Sequence, residues 1–193
     1  MTRRKRSILQ SLLLPSILCM LGILDASDAD AQVRRGRAQD TSSRWAPVSI
    51  GVRFGYDQAA QGELLGGQLR IPLTRSGVVE LVTFADVIFP VGTKEHQYSA
   101  EVVWIPGGAR AGGIFGGGGL GWRDTVLAST NRNDPRATHF GYSVVVGVKS
   151  KLGPIELEVD IRWIYLNDTR YRPNPVSLGL NYPLWSVRPA GSR

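Results

Sequence analysis

Charged side chains recur at every second position between residues 156 and 162, a spacing that could serve either acid–base chemistry or ion pairing. Glu156, Glu158 and Asp160 supply three carboxyl groups, and Arg162 supplies an adjacent cation. A close pair of carboxyl groups suits general acid and base catalysis when the two differ in pKa. The same residue types also form structural networks, in which a guanidinium neutralises carboxylates that are withdrawn from water. The structural interpretation is favoured if these side chains face a closed interior.

Other residue types that carry chemistry are sparse. The two histidines, His96 and His139, are followed by Ser99 and Ser143 at spacings of three and four. On strands, the first His–Ser pair points to opposite faces and the second is far apart along its strand, so no catalytic triad emerges. The only cysteine, Cys19, lies in an apolar leader, which excludes disulfides and thiolate chemistry from the rest of the chain. We therefore expect no enzymatic activity, no cofactor and no metal site.

A run of four glycines at Gly116–Gly119 is a candidate phosphate-binding loop. Such a loop needs the N-terminus of a following helix and usually a Lys-Ser or Lys-Thr pair, and neither follows here. Glycines within a strand more often mark a bend or a close approach of backbone. In a narrow barrel they would also leave room for large side chains opposite, and we favour that interpretation.

The element that positions the first charged residues is an alternating strand from Pro154 to Tyr165. A period of two arises only in a strand, because successive side chains leave it on opposite faces. The face opposite the charges is aliphatic and aromatic, formed by Ile155, Leu157, Val159, Ile161, Trp163 and Tyr165. In a water-soluble sheet this apolar face would be buried, whereas in a membrane barrel it faces lipid and the charges face the lumen.

Similar alternation recurs along the chain. The eight predicted strands cover residues 48–56, 63–73, 78–89, 96–105, 111–123, 138–149, 154–165 and 176–185. Each is about ten residues long, the length that a tilted strand needs to cross a bilayer. The third strand is irregular, since Val82, Phe84 and Ile88 share the face of its carboxylates, and we expect a bulge to restore its alternation.

The N-terminus predicts export. Arg3, Arg4, Lys5 and Arg6 precede an apolar run at 8–24, and Ala29-Asp30-Ala31 offers a small-x-small cleavage site. These are the features of a cleaved signal peptide, which we assign to residues 1–31. A retained membrane anchor is the alternative, but the run is short for a span and contains a proline. Residues 32–45, rich in Arg, Ser and Gln, are predicted to be a flexible arm.

The charge balance is basic, with 23 Lys and Arg against 16 Asp and Glu and a net charge of +7. Four of these bases and three of these acids lie in residues 1–31, which leaves 19 against 13, or +6. No basic helix or recognisable nucleic-acid-binding motif accompanies the surplus, so we expect no nucleic-acid partner. Solvated tails and contact with anionic lipid headgroups explain it better.

Together these features predict an all-β fold, an eight-stranded antiparallel up-and-down transmembrane β-barrel at residues 46–185. An even number of strands places both chain ends on one side of the membrane. The short connections are then periplasmic, and the long polar loops at 124–136 and 167–175 lie at the cell surface. Aromatic residues near the strand ends suit two interfacial girdles.

Residues 46–185 resemble the small outer-membrane β-barrels of the OmpX-like and OmpA transmembrane-domain type. The most specific segment is 177–184, in which Ser177, Gly179, Tyr182 and Leu184 match the terminal-strand assembly signal of such proteins. The resemblance implies that the barrel assembly machinery is a partner. The chain departs from many relatives in its C-terminal tail at 186–193, which leaves the end of the last strand open.

The interior of an eight-stranded barrel is filled by its own side chains. We expect a lumenal charge network of Arg53, Arg70, Glu80, Glu101, Glu156, Glu158, Asp160 and Arg162, with Gln68, Asp86, Lys149 and Asn181 also directed inward. Buried charges are tolerated only when they are paired and hydrogen-bonded. The three arginines should therefore bridge the carboxylates.

The function expected from these features is that of a non-enzymatic integral outer-membrane protein of a diderm (Gram-negative) bacterium. Its partners would be outer-membrane lipid and the assembly machinery, and its role would lie in envelope integrity or in contacts of the surface loops. One alternative is a soluble periplasmic lipocalin-like barrel that binds an apolar ligand. Another is a lipid-modifying enzyme with its site at the membrane rim.

Overall fold

A computed structural model of the protein describes residues 45–126, 136–167 and 169–186. The predicted signal peptide at 1–31 lies outside them. So do the predicted arm at 32–45 except for its last residue, and the predicted tail at 186–193 except for its first. Most of the predicted loop at 124–136 is likewise outside the described residues.

Eight strands and one short helix make up the described chain. The elements are β1 (Pro47–Asp57), β2 (Gly62–Pro72), β3 (Val79–Phe89), β4 (Glu95–Trp104), α1 (Gly108–Ala111), β5 (Gly113–Thr125), β6 (Ala137–Leu152), β7 (Ile155–Leu166) and β8 (Pro175–Ser186). Each strand pairs antiparallel with its neighbours in sequence, and β1 pairs with β8 to close the barrel. The predicted fold class is confirmed. Among the described residues no helix is long and apolar enough to cross a membrane.

The two ends of the barrel differ in their connections. The near end carries both described termini and the connections 73–78, 105–112 and 153–154. The far end carries the connections 58–61, 90–94, 126–136 and 167–174. By loop length the near end corresponds to the predicted periplasmic side, and the far end to the predicted cell-surface side.

Most predicted strand boundaries were wrong by one residue, and three were wrong by two or more. The fifth strand ends at Thr125 instead of Arg123. The fifth strand was expected to begin at Ala111, but this residue belongs to α1, and the positive φ angles of Gly112 and Gly113 separate the helix from β5. The sixth strand was expected to end at Lys149. It continues to Leu152, because a tight turn at Gly153 and Pro154 lets residues 150–152 pair with the start of β7.

The bulge expected in the third strand is not present, since β3 pairs with β2 and β4 without a register shift. The apolar side chains on its inner face pack inside the barrel instead. Val82 and Phe84 belong to a buried cluster with Val103, Ile105, Phe115 and Val145. Ile88 joins a second cluster with Ala60 and Leu64 nearer the far end. The interior is therefore part apolar and part ionic.

Candidate functional site in the barrel interior

All twelve side chains that alternation directs inward are buried, each no more than 3% exposed. They are Arg53, Gln68, Arg70, Glu80, Asp86, Glu101, Lys149, Glu156, Glu158, Asp160, Arg162 and Asn181. Their apolar neighbours along the strands face outward. The barrel thus brings together residues that lie more than a hundred positions apart in the chain, such as Ser49 and Glu156.

Arg53 lies at the centre of one row of paired residues. Its cross-strand partners are Gly66 on β2 and Gly179 on β8. These glycines pair in turn with Asp86 on β3 and Glu158 on β7. Because neither glycine has a side chain, the two leave space in the lumen for the long side chain of Arg53. Arg53 contacts Asp86 at 3.1 Å and donates a hydrogen bond to the Ser177 hydroxyl at 2.9 Å.

Arg162 lies in the same region of the interior, on β7, which is separated from β1 by β8 alone. Its Nε lies 3.1 Å from a carboxylate oxygen of Glu101, and its Nη1 bonds Asp160. Ser143 donates to Glu101 at 2.7 Å. The guanidinium carbons of Arg53 and Arg162 both lie over the Phe84 ring, 4.1 and 4.6 Å from its centroid. Cation–π contact therefore supplements the ion pairs.

Toward the near end, Arg70 and Lys149 are bridged by Glu80. Arg70 contacts Glu80 at 2.7 Å and Glu158 at 2.5 Å, while Lys149 lies 3.3 Å from Glu80 and 2.9 Å from Glu156. A second set of bonds links Gln68 and Asn181 to the Glu158 carboxylate. The three predicted arginines each contact two or more groups of this interior.

A further ionic cluster at the far end was missed by the sequence analysis. Arg123 contacts Asp57 at 2.5 Å and Glu95 at 2.8 Å, and it donates to Gln97 at 3.1 Å. Thr125 also bonds Glu95. The signal was available: Asp57 and Glu95 continue the inward alternation of β1 and β4, one residue beyond the predicted strand ends.

Tyr171, from the connection 167–174, covers this far-end cluster. Its hydroxyl accepts a hydrogen bond from Arg123 at 3.2 Å, and its ring packs against the apolar cluster of Ala60, Leu64 and Ile88. Burial raises the pKa of the Tyr171 phenol, although the nearby Arg123 guanidinium acts in the opposite direction. The phenol therefore stays neutral, and its ring covers Arg123 at the far end of the interior.

The near mouth is covered by two connections. The Ala46 amide donates to the Arg75 carbonyl at 2.8 Å, and the Ala109 amide of α1 donates to the Ser76 carbonyl at 3.1 Å. Ala46, Ile105 and Ala109 are buried by this arrangement. The helix α1 and the turn 73–78 thus lie across the near end of the barrel.

Acidic groups outnumber basic ones inside. Five buried cations (Arg53, Arg70, Arg123, Lys149 and Arg162) face eight buried carboxyl groups (Asp57, Glu80, Asp86, Glu95, Glu101, Glu156, Glu158 and Asp160). Despite this surplus, no cluster of three or more His, Cys, Asp or Glu within the described residues could hold a metal ion. The arrangement can hold strands together and exclude water.

The candidate His–Ser pairs are not brought together. His96 alternates with Ser99 to the opposite face of β4, where Ser99 donates to the Leu120 carbonyl. His139 and Ser143 share the inner face of β6 but are four positions apart, and Ser143 is bonded to Glu101. Their separation fails the geometric requirement for a nucleophile and its base.

The outer surface is apolar. Large exposed side chains include Ile50, Val52, Leu65, Val102, Leu120, Val144, Val146, Leu180 and Leu184. Exposed aromatic residues lie toward the strand ends, among them Phe89, Tyr98, Trp104, Trp122, Phe140, Tyr165 and Tyr182. A soluble lipocalin-like barrel would show the reverse arrangement, so the structure argues against that alternative.

Comparisons with known proteins agree with this geometry. The N-terminal β-barrel domain of Pseudomonas aeruginosa OprF is similar with a TM-score of 0.59 and 16% identity, over 74% of this chain and 100% of that domain. Neisserial surface protein A (NspA) is similar with a TM-score of 0.50 and 13% identity, over 71% of this chain and 94% of that one. The outer membrane enzyme PagL, at 14% identity, 70% and 99% coverage and a TM-score of 0.45, is too distant to support an argument about activity. No protein-family model and no curated protein matches the chain.

At these identities the similarity shows the fold. The closed eight-stranded barrel, its ionic interior and its apolar exterior define a transmembrane β-barrel of the bacterial outer-membrane type. The resemblance to the small eight-stranded outer-membrane barrels is confirmed at this level.

Proposed function

We propose that this protein is a sealed, non-conducting and non-enzymatic outer-membrane barrel, which acts in envelope integrity or through contacts of its surface loops. The observation that carries the proposal is the burial of Arg53, Arg70, Arg123 and Arg162, each no more than 1% exposed. The walls of a water-filled pore expose their charged side chains to water. Here the arginines are enclosed by their partners from one end of the barrel to the other.

The residues that cover the two ends of the interior support the same proposal. Tyr171 covers the far cluster, and α1 with the turn 73–78 covers the near end. Because Tyr171 is bonded to Arg123 in the ionic interior, residues 169–174 are held against the barrel and can present a defined surface. That loop and the loop at 124–136 are the proposed contact regions.

Assembly is proposed to use the last strand. Ser177 and Gly179 face the lumen, whereas Tyr182 and Leu184 are exposed on the outer face. This places the polar and apolar parts of the predicted signal on opposite sides of β8. The barrel assembly machinery remains a proposed partner.

Conductance in planar bilayers tests the sealed lumen. We expect the folded mature protein to give no single-channel steps above the lipid baseline. The variant Tyr171→Ala should loosen the far mouth, but the deeper Arg53 and Arg162 layers should still block ions. Reproducible steps from the unmodified protein would contradict the proposal, and hydrolysis of added lipid would contradict its non-enzymatic part.

A further inference from the structure

The Tyr171 side chain occupies a site whose walls come from other parts of the barrel. Its ring packs against the buried cluster of Ala60, Leu64 and Ile88, none of which is more than 6% exposed. Its hydroxyl accepts a hydrogen bond from Arg123 at 3.2 Å, and the guanidinium carbon lies 5.5 Å from the centroid of the ring. An apolar wall with one fixed polar group is the usual composition of a small-molecule site. We call these three apolar residues and Arg123 the tyrosine pocket.

The tyrosine pocket is held in place by contacts that do not involve Tyr171. Arg123 is bonded to carboxylates of β1 and β4 and to a side-chain amide of β4. The Asp57 carboxylate also accepts hydrogen bonds from the Ala59 and Ala60 amides at 2.9 and 3.1 Å, which fixes the turn that supplies Ala60. The other two apolar residues of the pocket are paired across the ladder between β2 and β3. The pocket therefore keeps its walls if the Tyr171 ring leaves it.

The segment that carries Tyr171, residues 169–174, is attached to the barrel more weakly than a strand would be, and we call it the strap. It lies beside the last residues of β7, beyond the end of the ladder between β7 and β8. The Ile164 amide donates to the Pro173 carbonyl at 3.0 Å. Pro173 and Pro175 have no amide hydrogen to donate in return. Two further bonds, at 3.2 and 3.4 Å, come from other polar side chains of the strap.

The charge around the tyrosine pocket determines which ligand it can accept. Two carboxylates, Asp57 and Glu95, already contact the single cation Arg123. An anionic ligand would add a third negative charge beside that cation, and burying a charge without a partner of its own is costly. A neutral hydroxyl accepts the hydrogen bond from Arg123 without adding charge, as the Tyr171 phenol does.

We propose that the tyrosine pocket binds a neutral phenol, an aromatic ring with one hydroxyl group, and that Tyr171 competes with this ligand. When the ligand enters, the Tyr171 ring and the strap leave the pocket, and the ligand hydroxyl accepts the hydrogen bond from Arg123. The apparent affinity is lower than the intrinsic one by the fraction of molecules in which the strap is open. This site goes beyond the proposed envelope role and does not depend on the sealed lumen.

The variant Tyr171→Ala tests the pocket with p-cresol, which is the tyrosine side chain as a free molecule. We expect p-cresol to raise the urea midpoint of the detergent-folded mature variant, because a ligand that binds only the folded form stabilises it. Toluene lacks the hydroxyl and should bind at least about tenfold more weakly, since a hydrogen bond to a charged group is lost. The anion p-toluate should also bind more weakly than p-cresol.

The matched control is Tyr165→Ala, which removes an exposed tyrosine from the outer face at the same end of the barrel. Its urea midpoint should respond to p-cresol no more than that of the unmodified protein. Equal responses of Tyr171→Ala and Tyr165→Ala would overturn the proposed pocket. Binding of toluene or p-toluate as strong as that of p-cresol would overturn the proposed ligand class.

Hydrogen exchange tests the competition in the unmodified protein. The Ile164 amide is bonded to the strap, so p-cresol should speed its exchange. The Asn167 amide, bonded to the Phe140 carbonyl at 2.8 Å on the other side of β7, should not change. An unchanged Ile164 rate at the highest soluble p-cresol concentration would overturn the role of Tyr171 as a competitor. If heat-modifiable gel mobility shows that Tyr171→Ala does not fold, this measurement decides the proposal alone. Conductance tests the sealed lumen separately.

Discussion

Each charged residue inside the barrel depends on several others. Glu158 contacts Arg70 and accepts hydrogen bonds from Gln68 and Asn181, and Asp160 contacts both Arg53 and Arg162. Burying an unpaired ion costs several kcal/mol, so each pair is tolerable only because its partners are present. Because carboxyl groups outnumber cations here, loss of a cation should be more harmful than neutralisation of an acid.

Arg162→Leu tests this asymmetry. The change leaves Glu101 without its guanidinium partner and leaves Asp160 with only Arg53, 3.9 Å away. We expect the free energy of unfolding to fall by about 3–5 kcal/mol. Asp86→Asn, which removes a negative charge while Arg53 retains Asp160 and Ser177, should cost clearly less. Urea unfolding in detergent or lipid vesicles measures both. Unchanged stability of Arg162→Leu would contradict a structural role for the network.

Glycines determine how closely β4 and β5 approach. A methyl group at Gly117 or Gly119 would overlap the backbone of β4, and the Glu101 Cα would lie only 2.6 Å from a Cβ at Gly119. Both positions face inward, opposite the large side chains of the ionic interior. The glycine run therefore serves close strand packing and not phosphate binding.

Gly119→Ala and Gly116→Ala form a matched pair for this interpretation. We expect Gly119→Ala to lower the free energy of unfolding by about 1–3 kcal/mol, because the strands must shift apart. At Gly116 the nearest atom to an added Cβ is the Val145 carbonyl oxygen at 3.7 Å, so that variant should be close to neutral. Chemical unfolding in vesicles distinguishes them. Equal stability of the two variants would remove the argument for close approach.

Strand number, face and approximate length could be predicted because alternation is strictly local. The residue at which each strand ends could not be predicted, because it depends on the geometry of the hairpins. The tight turn at Gly153 extends β6, and the prediction ended β1 at Tyr56 and began β4 at His96, which left Asp57 and Glu95 out of the interior. The Tyr171 contact was also beyond prediction. It depends on how a loop folds back onto the barrel.

At the scale of the whole molecule, the most important property is that the charged face of each strand and its apolar face point in opposite directions. Charged residues point toward the axis, where they pair, and apolar residues point away from it. Such a surface is stable only in a medium as apolar as itself. Outward positions should therefore tolerate charged substitutions to different extents at different depths, and least well at the middle of the barrel.

Val144→Arg and Thr138→Arg compare two exposed outward positions on β6, one near the middle of the strand and one at its far end. In lipid, an arginine at the bilayer midplane costs about 2–4 kcal/mol, against about 0–1 kcal/mol near the interface. We expect folding into vesicles to be weakened by these amounts, as measured by reversible denaturant titration. In water both positions would accept arginine equally. A depth-dependent penalty thus requires that the outer face contact hydrocarbon, and two equally stable variants would be incompatible with a membrane-spanning barrel.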